Sequence, residues 1–461
     1  MPLLGATGGG SAKGFGALAN LGYYIKNSLR FRLANSAYLR RTPGSSGSLK
    51  TWTASFWYKP GELSTDNQTL FSNAVESDAI RFQTGTNSRE LLIYFGAGSA
   101  NLATSQVFRD PAAWYHIVVA TDTTQGTSSN RIKVYVNGTQ VTSFLGGQST
   151  YPSQNYETSF NRSGFEQEIG RRASSTSLYL DGYMAEVNWI DGQQLDASYF
   201  GKTDAATGQW IPKKFAGTYG TNGYYLKFSD IALTSGSNAG LGKDFSGNGN
   251  YFNTNNISVT SGVTYDAMTD SPTLSAAASN YCTINPLLDL QTYATYSEGN
   301  LKVSTTAASG FSPRQQSKGT MAIPSSGKWY FAANASDCGI AMANDDPNRT
   351  QYGASILTTH VRYQSTGSVL LNGNSYATVA SFTSSDEVGL AIDMDALTVG
   401  VYKNGSLLTT VTGVTSGFTY YPMTVGNSSA TAYTAFWNFG QRPFAYTPPT
   451  GYKALNTFNL P

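Results

Sequence analysis

Residues that could act as catalytic bases are scarce in this 461-residue sequence, because it contains only two histidines, His116 and His360. Nucleophilic catalysis of the Ser-His-Asp or Cys-His type needs an imidazole base. His116 lies in WYHIVVA and His360 in TTHVRYQ. Both segments have the pattern of strands, and neither contains a nucleophile elbow, a metallopeptidase helix motif or a zinc spacing. The sequence therefore predicts that both histidines are structural.

Two groups of polar residues each contain a pair spaced by two positions, which the alternation of a strand places on one face. Glu166 and Glu168 are two residues apart in FEQE, and Glu186, Asn188 and Asp191 lie in AEVNWID. Glycoside hydrolysis uses two carboxyl groups, one of which acts as the acid and the other as nucleophile or base. The second group has an amide at its central position, and nothing else marks the first group. We therefore expect no intact acid–nucleophile pair and no enzyme.

The composition predicts β structure with few charges. Charged residues and aromatic residues each make up 13% of the sequence, and hydrophobic residues make up 40%. Surface polarity must therefore come from Ser, Thr, Asn and Gly, which favour turns and strand edges over helices. Two cysteines, Cys282 and Cys338, are too few for a disulfide framework and are expected to be buried small hydrophobic residues.

The charge pattern argues against nucleic-acid binding and against membrane insertion. The net charge is +2, and the basic clusters, such as Arg30, Arg32, Arg40 and Arg41, are short. A nucleic-acid face has a denser basic stripe. No run approaches the roughly 18 apolar residues of a membrane helix. The start MPLLGATGGGSAKGFG lacks the pattern of a signal peptide, so secretory export is not expected.

A first hydrophobic core is predicted to begin at TWTASFWYKP, where strict alternation places Trp52, Ala54, Phe56 and Tyr58 on one face. Asn-Gly between apolar runs is a strong hairpin signal, because both residues accept positive φ. The further strands of this core are predicted in LLIYFG (91–96), WYHIVVATD (114–122), a pair in RIKVYVNGTQVTSF joined at Asn137-Gly138, and a pair in SLYLDGYMAEVNWIDGQQL around Asp181-Gly182.

A second core is predicted to contain the same type of hairpin, since VYKNG at 401–405 is similar to VYVNG at 134–138. Helical periodicity is scarce, and DASYFG (196–201) alone could form a short helix. The strands of the second core are predicted in GKWYFAAN (327–334), EVGLAIDMD (387–395), LTVGVYKNGSLLTTV (397–411) and AFWNFGQRPF (435–444). Short strands separated by turn signals favour β-sandwiches.

These patterns divide the chain into four parts. Residues 1–20 are an extended Gly- and Ala-rich arm, and residues 21–205 are the first sandwich. Residues 206–296, rich in Gly, Asn, Ser and Thr, are a connector that either forms a small extra sheet or bridges the sandwiches. Residues 297–461 are the second sandwich with a C-terminal tail. The predicted fold is all-β, with two antiparallel sandwiches.

Residues 51–200 resemble a laminin-G-like domain of the concanavalin A-like lectin/glucanase superfamily, through SFWYKP, WYHIVVATD, KVYVNGTQV and LDGYMAEVNWIDGQQL. The glucanases of that superfamily place carboxylates on one strand as Glu-x-Asp-x-x-Glu. Glu186, Asn188 and Asp191 depart from this pattern at its second and third positions. Laminin-G-like domains often bind calcium through loop oxygens, which implies Asp122 and Asn130 as candidate calcium ligands here. No other cofactor is expected.

Residues 297–446 resemble a SPRY domain, a β-sandwich used for protein interaction, through GKWYFAAN, VGLAIDMDALTVGVYKNG, YYPMTVGN and WNFGQRPFAYTPPTGYKAL. The segment DFSGNGNYFNTNNISVTSG, followed by DSPT and INPL, is similar to a connector of bacteriophage tail-fibre and other virion proteins. Together these resemblances imply a tail-fibre-like virion protein that is made in the host cytoplasm and displayed on the particle exterior. The N-terminal arm would then dock onto other virion proteins.

Three functions remain open from the sequence. The first is attachment to a host-surface glycan or protein by a homo-oligomer, with a trimer favoured. The second is an architectural role as a head or tail decoration protein, and the third is a polysaccharide-degrading tail enzyme. Because loops on rigid sandwiches carry recognition, residues 123–130, 145–165 and 341–356 are the candidate contact loops.

Overall fold

The computed structural model describes residues 22–63, 67–73, 78–83, 89–173, 177–234, 236–288, 294–306, 316–344, 359–426 and 432–461. The arm 1–20 and most of the candidate loop 341–356 lie outside these residues. The described chain forms two compact units. The N-terminal unit comprises Asn20–Thr260 and Thr264–Ala278, and the C-terminal unit consists mainly of Ser279–Pro461.

The N-terminal unit is built from short strands and single turns of 3-10 helix. Its strands are β1 (Ser28–Phe31), β2 (Tyr38–Arg41), β3 (Thr51–Pro60), β4 (Gln68–Asn73), β5 (Ala79–Gln83), β6 (Glu90–Phe95), β7 (Ala100–Val107), β8 (Tyr115–Asp122), β9 (Ile132–Val136), β10 (Thr139–Gln140), β11 (Phe144–Thr150), β12 (Gln167–Ile169), β13 (Gly182–Asp191), β14 (Gly201–Thr203), β15 (Trp210–Pro212), β16 (Tyr224–Leu226), β17 (Asn253–Asn255) and β18 (Ala267–Met268). Its 3-10 turns are Leu33–Asn35, Gly96–Gly98, Ser128–Asn130, Ala197–Tyr199 and Gly240–Gly242.

Two eight-stranded antiparallel sheets enclose the core of this unit. Sheet A has the order β10-β9-β8-β3-β13-β1-β18, and β16 also pairs with β13. Sheet B has the order β11-β7-β6-β5-β4-β12-β2-β17. The strands β14 and β15 form a separate pair. The all-β sandwich predicted from the composition is confirmed.

The alternation of β3 sets the inner face of sheet A. Trp52, Ala54, Phe56 and Tyr58 are all fully buried in the core between the sheets. The Trp52 ring stacks on that of Trp189 at 4.7 Å between ring centroids. Because successive strand residues point to opposite faces, the residues between them face outward. The predicted inner face of this strand is thus confirmed.

Positive-φ turns join the predicted hairpins. Asn137 and Gly138 have φ values of 47° and 82° between β9 and β10. The equivalent hairpin of the C-terminal unit turns at Asn404 and Gly405, with φ values of 49° and 78°. The expected second strand before Gly182 is absent, because residues 178–181 leave the sheet and the Asp181 carboxylate accepts the Glu62 N–H at 3.0 Å.

Part of the expected connector contributes strands to the N-terminal unit. β16 pairs with β13, β17 with β2 and β18 with β1. Asp266 bonds Arg30 Nε at 3.0 Å and Arg32 Nε at 2.9 Å. Asp270 bonds Lys59 Nζ at 2.8 Å. Residues 224–270 are therefore integrated into the first sandwich by backbone pairing and by buried ion pairs.

The C-terminal unit has its own pair of sheets. Its strands are β19 (Ala294–Ser297), β20 (Lys302–Thr305), β21 (Gln316–Lys318), β22 (Lys328–Ser336), β23 (Cys338–Asn344), β24 (His360–Gln364), β25 (Ser368–Leu371), β26 (Asn374–Thr378), β27 (Glu387–Asp393), β28 (Thr398–Lys403), β29 (Ser406–Thr412), β30 (Tyr420–Gly426), β31 (Thr434–Asn438) and β32 (Lys453–Ala454), with one 3-10 turn at Pro286–Leu288. Sheet C has the order β19-β20-β31-β22-β27-β28-β29, with β32 beside β22, and sheet D has the order β21-β30-β23-β24-β25-β26.

Aromatic residues fill the C-terminal core. The Trp437 ring stacks on Phe439 at 5.4 Å between centroids and lies 5.7 Å from Phe331. Cys282 and Cys338 are both buried and form no disulfide, as expected. No helix in the described part of the chain is long and apolar enough to cross a membrane.

Candidate functional site

A β-bulge in β13 places Glu186 at the centre of a polar cluster. The pairing of β13 with β3 is interrupted between Ala185 and Asn188. Glu186 has a φ of 52°, in the left-handed region that residues other than glycine rarely adopt. Bulges re-aim side chains at such positions and are frequent beside functional sites. The Glu186 carboxyl group is therefore the first candidate for chemistry.

Two tyrosine hydroxyls bond this carboxyl group. Tyr225 Oη donates to Glu186 Oε1 at 2.7 Å, and Tyr23 Oη donates to the same oxygen. The two hydroxyls lie 2.6 Å apart. Burial raises the pKa of Glu186 to about 6, although these hydrogen bonds and the charge of Lys227 lower it. Glu186 can thus exchange a proton near neutral pH.

The other two members of the AEVNWID group have separate partners. Tyr219 Oη donates to Asn188 Oδ1 at 2.9 Å. The Asp191 carboxylate accepts the backbone N–H groups of Ser48 and Asn222 at 2.7 and 2.9 Å, which ties distant loops together. Glu186 and Asp191 are five strand residues apart, or about 16 Å along the strand. Glycosidase carboxyl pairs are closer, at roughly 5 to 9.5 Å, so these residues do not form such a pair.

We expect Glu186→Gln to stabilise the protein at pH 8 and to leave its stability at pH 4 unchanged. The folded pKa of about 6 lies above the ordinary value of 4.5. The fold therefore disfavours the ionised carboxylate, so the contribution of Glu186 to stability is complete below pH 4.5 and is lost as the pH rises through 6. The penalty removed by glutamine is about 2 kcal/mol. Urea unfolding at the two pH values measures it.

The matched control is Glu157→Gln, because the Glu157 side chain is 51% exposed. We expect this variant to change the free energy of unfolding by less than about 1 kcal/mol at either pH. Destabilisation of Glu186→Gln at pH 8 would contradict the assignment of a disfavoured carboxylate.

His116 is held in one tautomer by its neighbours. Trp210 Nε1 donates to His116 Nδ1 at 2.9 Å, so in the neutral ring the proton must be on Nε2. Nε2 lies 3.0 Å from Ser55 Oγ and donates to it. A catalytic base would instead accept the serine proton on that nitrogen. Burial lowers the pKa of His116 to about 3, which keeps the ring neutral. His360 is a buried residue of β24 in the C-terminal unit.

Glu166 and Glu168 lie close together, as their spacing of two residues on a strand predicts. Burial raises the pKa of Glu168 to about 6; Arg171 opposes this rise, and Glu166 adds to it. Arg171 binds both carboxylate oxygens of Glu168, with Nε to Oε2 at 2.6 Å. The more exposed Glu166 lies 3.6 Å from Arg40. Both carboxylates are thus matched with arginines on sheet B.

The oxygen atoms of the two candidate calcium ligands accept hydrogen bonds from neighbouring residues. Asp122 Oδ1 accepts hydrogen bonds from the backbone and hydroxyl of Thr124 at 3.1 and 2.7 Å, and Oδ2 accepts one from Gln125 at 2.6 Å. The Asn130 carbonyl accepts a hydrogen bond from Gln194 at 2.8 Å. The described residues contain no group of three His, Cys, Asp or Glu side chains arranged for a metal ion. Calcium prefers six to eight oxygens, and Asp122 and Asn130 supply only part of such a set. The calcium site stays a prediction.

The outer face of sheet B carries half-buried aromatic side chains. Tyr94 of β6, Tyr38 of β2 and Tyr179 lie on it. The guanidinium of Arg81 lies 5.5 Å from the Tyr94 ring centroid, and that of Arg171 lies 3.8 Å from the Tyr38 ring centroid. Each of these tyrosines is half-buried, so part of its ring is accessible to a ligand.

The outer face of sheet A differs, since the chain itself covers it. Val118 of β8 and Ile190 of β13 pack there against Leu195, Phe200 and Phe215. The segment that follows β13 therefore removes this face from solvent.

Sequence reasoning did not single out the tyrosines of the Glu186 cluster. Tyr23 and Tyr225 are 163 and 39 residues away from Glu186 in the sequence. No local pattern around a tyrosine indicates which distant carboxylate it will meet. Arg81 and Tyr94 were likewise not identified, because they become neighbours only through the pairing of β5 with β6.

Comparison with protein families gives one match. Residues 33–197 match the model of the concanavalin A-like lectin/glucanases superfamily. The match includes most of the strands that predicted this domain, and it confirms the concanavalin A-like character of the first sandwich. No curated protein matches the chain.

Solved structures similar to the chain include SPRY domains and a pentraxin. The SPRY domain of human HERC1 is 15% identical, covering 31% of this chain and 91% of its own, with a TM-score of 0.26. The TRIM65 PSpry domain is 13% identical, covering 34% and 92%, with a TM-score of 0.28. The heptameric SAP-like pentraxin from Limulus polyphemus is 14% identical, covering 38% and 79%, with a TM-score of 0.27. These are resemblances of fold.

Proposed function

We propose that the chain is a non-catalytic attachment protein of a phage particle, which binds a host-surface glycan or protein through its N-terminal sandwich. The observation that supports this most is the outer face of sheet B, where half-buried tyrosines lie under arginine side chains. Flat aromatic rings bind sugar faces by stacking and contribute large contact areas to protein partners.

The groups that could perform acid–base chemistry support the same proposal. The His116 ring carries its proton on the nitrogen that faces Ser55, because Trp210 donates to the other nitrogen. Glu186 is bonded by two tyrosines and is far along the strand from Asp191. Both groups are thus engaged in hydrogen bonds with neighbouring side chains, which supports binding over catalysis as the proposed activity.

The test is attachment to the bacterium on which the particle grows. Purified full-length chain, which we expect to be a trimer, should bind these cells and should compete with adsorption of the particle. Tyr94→Ala should weaken binding at least about fivefold, since an aromatic contact with a ligand contributes on the order of 1 kcal/mol or more. Flow cytometry with labelled protein measures this.

Tyr199→Ala is the control variant, because Tyr199 is 46% exposed on a 3-10 turn away from sheet B. It should bind cells like the unmodified chain. Absence of both cell binding and competition by the unmodified chain would overturn the proposed function.

A further inference from the structure

Two arginines lie on the outer face of sheet B, and neither has an acidic partner among the residues that the structure describes. Arg81 lies between Ile80 and Phe82, which are fully buried in the core. The alternation of β5 therefore points Arg81 outward. Tyr94 of the neighbouring strand also points outward, and its ring lies under the Arg81 guanidinium.

A turn after β12 brings the second arginine onto this face. Gly170 has a φ of 89°, and after it the chain folds over β4. The Ser72 hydroxyl donates to the Arg171 carbonyl at 2.7 Å and accepts the Ala173 N–H at 3.0 Å. The backbone at Arg172 is thus fixed over β4, next to the strand that carries Arg81. Burial lowers the pKa of Arg81, and the charge of Arg172 lowers it further.

Several other arginines of this unit have partners of opposite charge. Arg171 pairs with Glu168, and both Arg30 and Arg32 pair with Asp266. Within the described residues, neither Arg81 nor Arg172 has an ion pair. The Nε of Arg81 is buried and has no hydrogen-bond acceptor there. Two like charges held together without a counterion favour an anion between them.

We propose that Arg81 and Arg172 bind the carboxylate of an acidic polysaccharide, with Tyr94 stacking on the sugar ring beside it. The forked guanidinium matches a carboxylate with two parallel hydrogen bonds. Asn101 lies directly opposite Tyr94 in the pairing of β6 with β7 and adds a polar side chain to the same face. This inference rests on the proposed attachment function and assigns its ligand class.

The test uses the full chain and an oligogalacturonate. The fully methyl-esterified oligomer, which has no carboxylate charge, is the control ligand. Isothermal titration calorimetry should show the acid binding at least about tenfold more tightly than the ester, because charge-assisted hydrogen bonds disappear in the ester. Binding of the acid should weaken as salt rises. Arg81→Gln and Arg172→Gln should each lose at least about tenfold in affinity.

Arg109→Gln is the control variant, since Arg109 is exposed and its substitution removes the same charge. It should bind the acid like the unmodified chain. Thermal melts of both site variants should match those of the unmodified chain, and two independent variants guard against a local folding defect. Equal affinity for acid and ester, no binding of the acid, or an equal loss in Arg109→Gln would each overturn the site.

Measurements of cell binding distinguish the acidic-glycan site from the proposed attachment function. If Arg81→Gln and Arg172→Gln bind host cells like the unmodified chain, the acidic-glycan site is overturned and the attachment function stands. If the chain binds the acid through both arginines but does not bind host cells, the site stands and the attachment function is overturned.

Discussion

A chain that ends at residue 205 is expected not to fold, whereas a chain that ends at residue 278 is expected to unfold cooperatively as one domain. The shorter chain loses β16, β17 and β18, each of which pairs with a strand of the first sandwich. It also loses core residues, among them Tyr224, Leu226 and Phe252.

The chain 1–205 also leaves buried positive charges without their partners, which destabilises its fold. Arg30, Arg32 and Lys59 are at most 3% exposed, and their partners are Asp266 and Asp270. A buried charge left without its partner costs on the order of 3–5 kcal/mol. Several such losses approach the whole stability of a typical domain, about 5–15 kcal/mol.

Circular dichroism and thermal unfolding of the two truncated chains measure this difference. The chain 1–278 is the control for removal of the C-terminal unit. Cooperative unfolding of the chain 1–205 at the same temperature as the chain 1–278 would show that residues 206–278 are dispensable, contrary to the pairing of their strands.

Asp266→Asn should destabilise the N-terminal unit by about 3–5 kcal/mol. The Asp266 side chain is fully buried and accepts from Arg30 Nε at 3.0 Å and from Arg32 Nε and Nη2 at 2.9 and 3.1 Å. It also accepts the Ser258 N–H at 2.9 Å. Asparagine keeps the shape but removes the negative charge, so two buried guanidinium groups remain uncompensated. Urea unfolding at pH 7 gives the difference.

Asp230→Asn is the matched control, because Asp230 pairs with Lys243 at 3.4 Å in a partly exposed position. An ion pair of this kind contributes less than about 1 kcal/mol. Similar losses in the two variants would contradict the special role of the buried Asp266 cluster.

The strand pattern of both sandwiches was predictable because it is local. Alternation over TWTASFWYKP requires one face to be apolar whatever lies opposite, and the structure buries that face completely. Asn137-Gly138 needs no tertiary partner to form its turn, since both residues adopt positive φ readily. The expected strand before Gly182 was wrong because the chain there follows contacts with Glu62 and Gln68, which are distant in sequence.

The burial of charged residues and their partners could not be predicted from the sequence. Arg30, Arg32 and Arg41 belong to what the sequence presents as short basic clusters, yet they are at least nine-tenths buried. Arg41 donates to the Asn222 carbonyl at 3.1 Å, a residue 181 positions away. A charged group is stable inside a protein only when it has a partner. The local sequence around an arginine does not indicate which distant residue will be that partner.

The sequence by itself determined an all-β chain with two sandwiches, positive-φ hairpins and a scarcity of catalytic bases, because composition, alternation and turn chemistry act over a few residues. Only the tertiary structure decided where each polar group lies. It placed residues 224–270 inside the first sandwich, gave Glu186 its tyrosine partners and brought Arg172 to the face of sheet B that carries Arg81. These outcomes depend on contacts between strands far apart in the chain, which exist only after the sheets have formed.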